Sequence, residues 1–140
     1  IPSFQIIKLI KELENFDFIN TLRTTSKYDV DFRYHINYFL SISYRVLIKT
    51  LFNLPITDIV SSCKFFKKDK ILPVLGEVKD NYWFWDTEIC AIAHKHRLKM
   101  KEVPVKFFRK IFQKRKTKTK LLRTIFDYSL KAFWLRTRLF

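Results

Sequence analysis

The sequence predicts an α/β fold in which a mixed sheet is flanked by helices. Apolar residues recur at helical spacing in several segments, and shorter segments of alternating polarity lie between them. Hydrophobic residues make up 48% of the chain and aromatic residues 17%, which excludes a disordered chain. The 140 residues are the usual size of one domain, and no Gly- and Ser-rich linker divides them. Because strands alternate with helices, the sheet is expected to be mostly parallel.

Each element is predicted from the period of its apolar residues. Helices are expected over residues 3–15, 33–52, 68–75, 86–97 and 121–139, and strands over 16–22, 62–66 and 99–108. Asn53 and Pro55 end the second helix, and Asp86 and Thr87 are the N-cap candidates of the fourth.

The composition limits the partners and the turns. A net charge of +15 implies a polyanionic partner, which is a nucleic acid, a phosphorylated ligand or an anionic membrane surface. With one glycine in the chain, Asn and Asp are expected to occupy the turns that need a positive φ angle. Cys63 and Cys90 lack metal-ligand spacing, so free thiols in a reducing compartment are expected.

The stretch from Asp58 to Arg109 arranges acids, small polar residues and cations in a recognisable order. It begins Asp-Ile-Val-Ser-Ser-Cys-Lys-Phe-Phe, continues with Phe-Trp-Asp-Thr-Glu-Ile, and ends with Glu-Val-Pro-Val and a cationic run. This order resembles the second half of the family 2 glycosyltransferases that use polyprenyl phosphates, the dolichol-phosphate mannosyltransferase type. Their pattern is Asp-x-x-Ser-Gly-Phe-Lys/Arg, then Phe-x-x-Glu or Phe-Asp-Thr-Glu, then Glu-Val-Pro-Val followed by Arg. The spacing from Glu88 to Glu102 is also similar.

The resemblance implies a GT-A-type fold and a division of the chain. Residues 1–120 would be the C-terminal part of the catalytic domain, without the N-terminal strands that hold the nucleotide. Residues 121–140 would be an amphipathic helix at a membrane interface, although ordinary core packing explains its pattern equally well. The intact parent is expected to use Mg²⁺ or Mn²⁺, whereas this fragment is expected to bind neither and to be inactive alone.

Two acids are the candidate catalytic residues. By resemblance, Asp58 lies at the donor sugar, where a carboxylate orients hydroxyls or stabilises positive charge at the anomeric carbon. Glu88 would lie on the acceptor side of the pocket. The structural alternatives are a turn-capping role for Asp58 and a first-turn acid at Glu88. Ser62 stands where the family has Gly, which brings the activity into question.

The candidate phosphate-binding residues are all cations. By resemblance, Arg109 or Lys110 is the Arg that follows Glu-Val-Pro-Val, and a bidentate guanidinium suits a phosphate. Lys118 follows Thr117 and stands in for a Gly-x-Ser-Lys motif that has lost its Gly. The set also includes Lys27 and Lys64, each of which lies in a segment that resembles one of the family's motifs.

No metal ligands are predicted within the chain. Asp29 and Asp31 have the Asp-x-Asp spacing that binds divalent metals in many glycosyltransferases, but their position matches a loop beyond the true metal site. They are therefore interpreted as solvated. His94 and His96 point to different faces of a helix and do not form a metal pair.

The predicted function is transfer of a sugar from a nucleotide diphosphate-sugar to a polyprenyl phosphate. The parent enzyme would act at the cytoplasmic face of a membrane, where this part of it would be peripheral and would contact the anionic surface. The alternative is a non-catalytic basic module that binds RNA or DNA, which the net charge and the interleaved aromatic residues support. The core-like spacing of the apolar residues and the absence of a nucleic-acid motif count against it.

Overall fold

The computed structural model describes residues 3–24, 32–61, 63–106 and 121–140. It contains five helices and three strands within these ranges. In chain order they are α1 (Ser3–Glu12), β1 (Phe18–Thr24), α2 (Phe32–Phe52), β2 (Lys64–Phe66), α3 (Lys68–Glu77), α4 (Trp85–Lys95), β3 (Met100–Lys106) and α5 (Leu121–Leu139). All eight predicted elements are confirmed, with bounds that shift by up to three residues.

The three strands form one mixed sheet with the order β2-β1-β3. β1 runs antiparallel to β2, with Phe18 opposite Phe66, and parallel to β3, with Phe18 opposite Met100. The prediction of a mixed sheet flanked by helices is confirmed. The expectation of a mostly parallel sheet is wrong for the described strands, because one of the two pairings is antiparallel.

The side chains of β1 alternate between two hydrophobic clusters on opposite faces of the sheet. Phe18 packs into the main core, which also contains apolar residues of α2, α3, α4 and α5. Ile19 packs into a smaller cluster with Leu9 of α1 and with Val103 and Val105 of β3. This two-residue period is the expected consequence of strand geometry. Helix α1 therefore lies on one face of the sheet and the other helices on the opposite face.

Helix α4 is the most buried helix of the fold. Every residue from Thr87 to Ala93 is buried. The prediction that Asp86 or Thr87 caps this helix is wrong, because the N-cap position is Phe84 and no side chain caps it. Both predicted caps bind elsewhere: Asp86 pairs with Lys64, and the hydroxyl of Thr87 lies 2.8 Å from that of Tyr44.

Two helices end in turns with a positive φ angle at a residue other than glycine. Asn53 follows α2 with φ 50°, which confirms the expectation that Asn serves in such turns. Arg97 follows α4 with φ 58° and was not predicted. At both ends a backbone N–H reaches back five residues, from Leu54 to Lys49 and from Leu98 to Ala93, each at 3.1 Å. These are Schellman-type ends, which satisfy carbonyl groups that the helix leaves without a partner.

Helix α5 packs on the main core along one side. Ala132, Leu135 and Leu139 are buried there, and Tyr128 packs its ring 6.0 Å from those of both Tyr44 and Phe84. Of the helices in the described ranges, none has the length and apolarity needed to cross a membrane.

Candidate functional site

Asp58 is the centre of a buried charge cluster. Its carboxylate is fully buried and accepts two hydrogen bonds from the Arg23 guanidinium, Nε to Oδ2 and Nη2 to Oδ1, both at 2.7 Å. The Arg23 backbone N–H also donates to Oδ2 at 3.1 Å. From α2, Nη2 of Arg45 lies 2.9 Å from Oδ1. One buried carboxylate therefore holds two guanidinium groups.

Three different elements bring these side chains together. Arg23 lies near the end of β1, and Arg45 lies on α2 directly after the buried Tyr44. Asp58 lies in the turn that follows α2, where its carbonyl oxygen accepts the N–H of Ser61 at 2.9 Å. The Asn20 side chain of β1 donates to the same carbonyl at 3.0 Å. The position of Asp58 is thus set by backbone contacts as well as by its ion pairs.

Glu102 of β3 fixes the turn that carries Asp58. Its Oε1 accepts the backbone N–H groups of Thr57 at 2.9 Å and of Asp58 at 2.6 Å, and the Asn20 amide at 3.2 Å. The Thr57 hydroxyl donates to Oε2. Glu102, the glutamate of the Glu-Val-Pro-Val segment, therefore accepts hydrogen bonds from backbone, amide and hydroxyl donors. Both guanidiniums bind Asp58 instead.

Lys64 joins this cluster to helix α4. Its ammonium group donates to Asp86 Oδ1 and to the Ser61 carbonyl, both at 2.5 Å, and its side chain is 5% exposed. The predicted phosphate ligand is therefore engaged with protein oxygens. The charge of Asp86, the partner of Lys64, also contributes to raising the pKa of Arg23.

The electrostatics of the cluster favour charged arginine. The hydrogen bonds to Asp58 raise the pKa of Arg23 above its ordinary value, and the charges of Asp58 and Asp86 add to this effect against the opposing effect of burial. The side chains of Arg23 and Arg45 are 33% and 23% exposed. Each guanidinium has five N–H donors, more than Asp58 accepts. Nε of Arg45 is buried without a hydrogen-bond partner among the described residues.

Glu88 belongs to a second cluster on the other side of α4. The residue is buried, and its Oε2 accepts the backbone N–H groups of Lys79 at 3.1 Å and Asp80 at 2.7 Å. Oε1 accepts Nη2 of Arg138 from α5 at 2.5 Å. This carboxylate therefore ties the start of α4 to the preceding loop and to the terminal helix.

An open groove of about 580 Å³ lies beside Glu88. It runs between the loop before α4 and helix α5, and its walls mix ion pairs with apolar surface. The residues that line it are Lys79, Asp80, Phe84, Glu88, Lys131, Trp134, Leu135, Thr137 and Arg138.

The two predicted acids, Asp58 and Glu88, lie in separate hydrogen-bonded clusters. They share no partner within the described ranges, and Asp58 does not line the groove beside Glu88. Helix geometry explains the separation, since side chains two residues apart point to nearly opposite sides of a helix. Asp86 takes the side facing Lys64, so Glu88 takes the side facing α5.

Several predicted residues lie outside the described residues. These are Lys27, Asp29, Asp31, Ser62, Arg109, Lys110 and Lys118. Within the described ranges, no three His, Cys, Asp or Glu side chains converge to hold a metal ion. Asp58 and Glu88 do not fit Mg²⁺ or Mn²⁺ either, because both carboxylates are already bound to guanidinium groups.

Sequence reasoning missed Arg23, Arg45 and Arg138, the partners of the two acids. The pairings join residues 35, 13 and 50 positions apart, so no local pattern reports them. One signal was present in the second helix. Arg45 is the only Lys or Arg between Arg33 and Lys49, and a lone cation in such an apolar stretch indicates a buried counter-ion.

Comparisons of the chain with protein-family models, with curated proteins and with solved structures give no match. Its function therefore has to be inferred from its own side chains.

Proposed function

We propose that this chain forms the acceptor-binding part of a glycosyltransferase that moves a sugar from a nucleotide diphosphate-sugar to a polyprenyl phosphate at the cytoplasmic face of a membrane. The observation that carries the proposal is the pair of partly exposed guanidiniums, Arg23 and Arg45, held on the buried carboxylate of Asp58. The order of motifs from Asp58 to Glu102, which resembles that of the polyprenyl-phosphate glycosyltransferases, supports sugar transfer as the reaction class.

The arginine pair suits a phosphate because it is preorganised and carries excess charge. Among the described residues, two cations on one carboxylate leave one positive charge without a partner, since Glu102 bonds to backbone, amide and hydroxyl donors. The N–H groups that Asp58 does not accept remain for a phosphate where the two side chains are exposed. Hydrogen bonds between a guanidinium and a phosphate are charge-assisted and directional.

The reaction needs little from these side chains beyond binding and orientation. An acceptor phosphate is already ionised, so one of its oxygens attacks the anomeric carbon without a general base. The new bond joins that oxygen to the anomeric carbon, and the bond from the anomeric carbon to the nucleotide diphosphate breaks as the diphosphate leaves with the electron pair. Arg23 and Arg45 would orient the acceptor phosphate for this attack.

The proposed roles of the two acids follow from their contacts. Asp58 is a positioning residue, because its carboxylate is fully buried and occupied by Arg23 and Arg45. Glu88 holds helix α5 and the loop of Lys79 against the core through its three hydrogen bonds. Neither carboxylate has a free oxygen directed at a sugar.

The test compares a short prenyl phosphate with its alcohol. Binding of farnesyl phosphate and of farnesol is measured by calorimetry in the same detergent, and a single-stranded oligonucleotide is then added at equal phosphate concentration. We expect farnesyl phosphate to bind at least about tenfold more tightly than farnesol, since each hydrogen bond to a charged group contributes roughly 1.5–3 kcal/mol. The oligonucleotide should not displace it. Equal binding of phosphate and alcohol would contradict the proposal, and displacement by the oligonucleotide would favour a nucleic-acid module.

A further inference from the structure

Two neighbouring elements, the loop before α4 and helix α5, expose large apolar side chains. The loop before α4 exposes Tyr82 at 80% and Trp83 at 79%, and α5 exposes Trp134 at 76%. Further exposed apolar residues continue along α5 from Trp134. The six residues Tyr82, Trp83, Phe126, Leu130, Phe133 and Trp134 are called the aromatic face below.

Ion pairs hold the loop of Tyr82 and Trp83 against helix α5. The carboxylate of Asp80 binds the ammonium group of Lys131 and also accepts the backbone N–H of Tyr82 at 2.8 Å. Nζ of Lys131 lies 5.8 Å from the ring centroid of Phe84. One carboxylate thus fixes the loop and the helix relative to each other.

The α5 part of the aromatic face is not used by the core. Over residues 123–139 of this helix, where burial is described, the buried residues are Ala132, Leu135 and Leu139. At 3.6 residues per turn, Phe133 and Leu130 lie on the far side of the helix from them. The exposed fractions of 52% for Phe133 and 45% for Leu130 agree with that geometry. The helix is therefore apolar on two sides, and the described residues cover only one of them.

The charges beside this surface are mainly positive. From Arg123 to the end of α5 there are four cations, which are Arg123, Lys131, Arg136 and Arg138, and one acid, Asp127. Two of the cations, Lys131 and Arg138, are paired with Asp80 and Glu88. Trp and Tyr combine an apolar ring with a polar tip, which suits them to the boundary between lipid headgroups and acyl chains. A helix with an apolar face and basic flanks lies in that boundary and is attracted by anionic lipids.

We infer that the aromatic face docks on the surface of an anionic phospholipid bilayer, with α5 in the interface plane and Trp83 and Trp134 inserted. This deepens the proposed function, because it names the surface that would bring the arginine pair to a lipid-borne acceptor. The docking itself requires no acceptor and no sugar transfer.

The test is co-sedimentation of the protein with vesicles of phosphatidylcholine, with and without phosphatidylserine. We expect binding to the anionic vesicles that weakens as salt is added, because surface charges are screened. Trp83→Ala and Trp134→Ala should each weaken this binding by about tenfold or more, which corresponds to the burial of one large apolar side chain. The matched control is Phe4→Ala, which removes an aromatic ring that is 69% exposed on α1, across the sheet. It should bind vesicles like the unchanged protein.

A second measurement uses the unchanged protein. Its tryptophan fluorescence should be quenched by brominated phosphatidylcholine in the anionic vesicles, and far less so in the two Trp variants. The inference would be overturned if Trp83→Ala and Trp134→Ala bound vesicles as strongly as the unchanged protein does. It would also be overturned if Phe4→Ala lost as much vesicle binding as the two Trp variants. Binding to oligonucleotides without binding to vesicles would also overturn it.

The outcomes separate this inference from the proposed function. Vesicles without prenyl phosphate test the aromatic face alone. Variants of Arg23 or Arg45 should keep vesicle binding, because neither residue belongs to that face. If farnesyl phosphate fails to bind while vesicle docking is lost in the Trp variants, the docking surface stands and the proposed acceptor site fails.

Discussion

The Arg23 guanidinium donates two hydrogen bonds of 2.7 Å to the carboxylate of Asp58, although the residues are 35 positions apart in the chain. The contact joins β1 to the turn after α2. Arg45 of α2 adds a second guanidinium, whose Nη2 lies 2.9 Å from Oδ1 of the same carboxylate. This arrangement serves the fold and the proposed site together, because the buried carboxylate that pairs with the two partly exposed guanidiniums also orients them.

Removal of the Asp58 charge should strongly destabilise the fold. Asp58→Asn leaves two partly exposed guanidiniums without their shared charged partner, and each lost hydrogen bond between charged groups costs roughly 1.5–3 kcal/mol. Urea unfolding followed by circular dichroism measures the loss. Asp69→Asn, at an exposed position in the first turn of α3, should change the free energy of unfolding by less than about 0.5 kcal/mol. A similar small change in Asp58→Asn would mean that the cluster is not formed in solution.

The contact between Glu88 and Arg138 should appear as coupling in a double-mutant cycle. Glu88→Gln, Arg138→Met and the double variant are compared by urea unfolding, and we expect a coupling energy of about 0.5–3 kcal/mol, as for residues in one hydrogen-bonded network. Arg136→Met in place of Arg138→Met is the control, because the Arg136 guanidinium lies 4.1 Å from the ring centroid of Phe140 and not on Glu88. Additive effects of Glu88→Gln and Arg138→Met would show that α5 is not tied to the core through this pair.

The stability of the α5 contact should fall at acidic pH. Burial tends to raise the pKa of Asp80, but the hydrogen bonds from Lys131 and the Tyr82 N–H outweigh it, so the pKa is lowered from the ordinary value of 3.8. A lowered folded-state pKa contributes stability that is present above 3.8 and is lost as pH falls through the folded value.

Lys131→Met should reduce this acid-dependent loss, because it removes the strongest of the favourable partners of Asp80. Urea unfolding of both proteins is measured at neutral pH and through the range below 3.8. The expected result is a smaller difference between the two proteins in acid than at neutral pH. A difference that stays constant over the whole range would contradict the pairing.

Local patterns predicted the elements but not the contacts that join them. The period of the apolar residues located α2 and α5 to within one residue, because burial of one face leaves a repeating signal. The cap of α4 was mispredicted because Asp86 and Thr87 favour capping locally, whereas tertiary contacts with Lys64 and Tyr44 hold them inside the helix. The strand β2 was predicted but its antiparallel direction was not, because three residues carry no sign of strand direction.

In the candidate site, the two acids and Lys64 were predicted, whereas the three arginines were not. The motif order singled out Asp58 and Glu88, and both are buried and fully hydrogen-bonded. Their guanidinium partners come from distant segments, and partner choice over such distances depends on how the helices pack. The division of the two acids between separate clusters has the same origin, because it depends on which side of α4 faces α5.

The most direct test of the account is the affinity of Arg45→Met for farnesyl phosphate. Its matched control is Lys49→Met, which removes one exposed cation a turn further along the same helix. The account predicts that Arg45→Met binds farnesyl phosphate about tenfold or more weakly, with farnesol binding unchanged, since hydrogen bonds to a charged group are lost. Lys49→Met should bind both compounds like the unchanged protein. Unaltered phosphate binding in Arg45→Met, or an equal loss in Lys49→Met, would contradict an acceptor-phosphate site at the arginine pair.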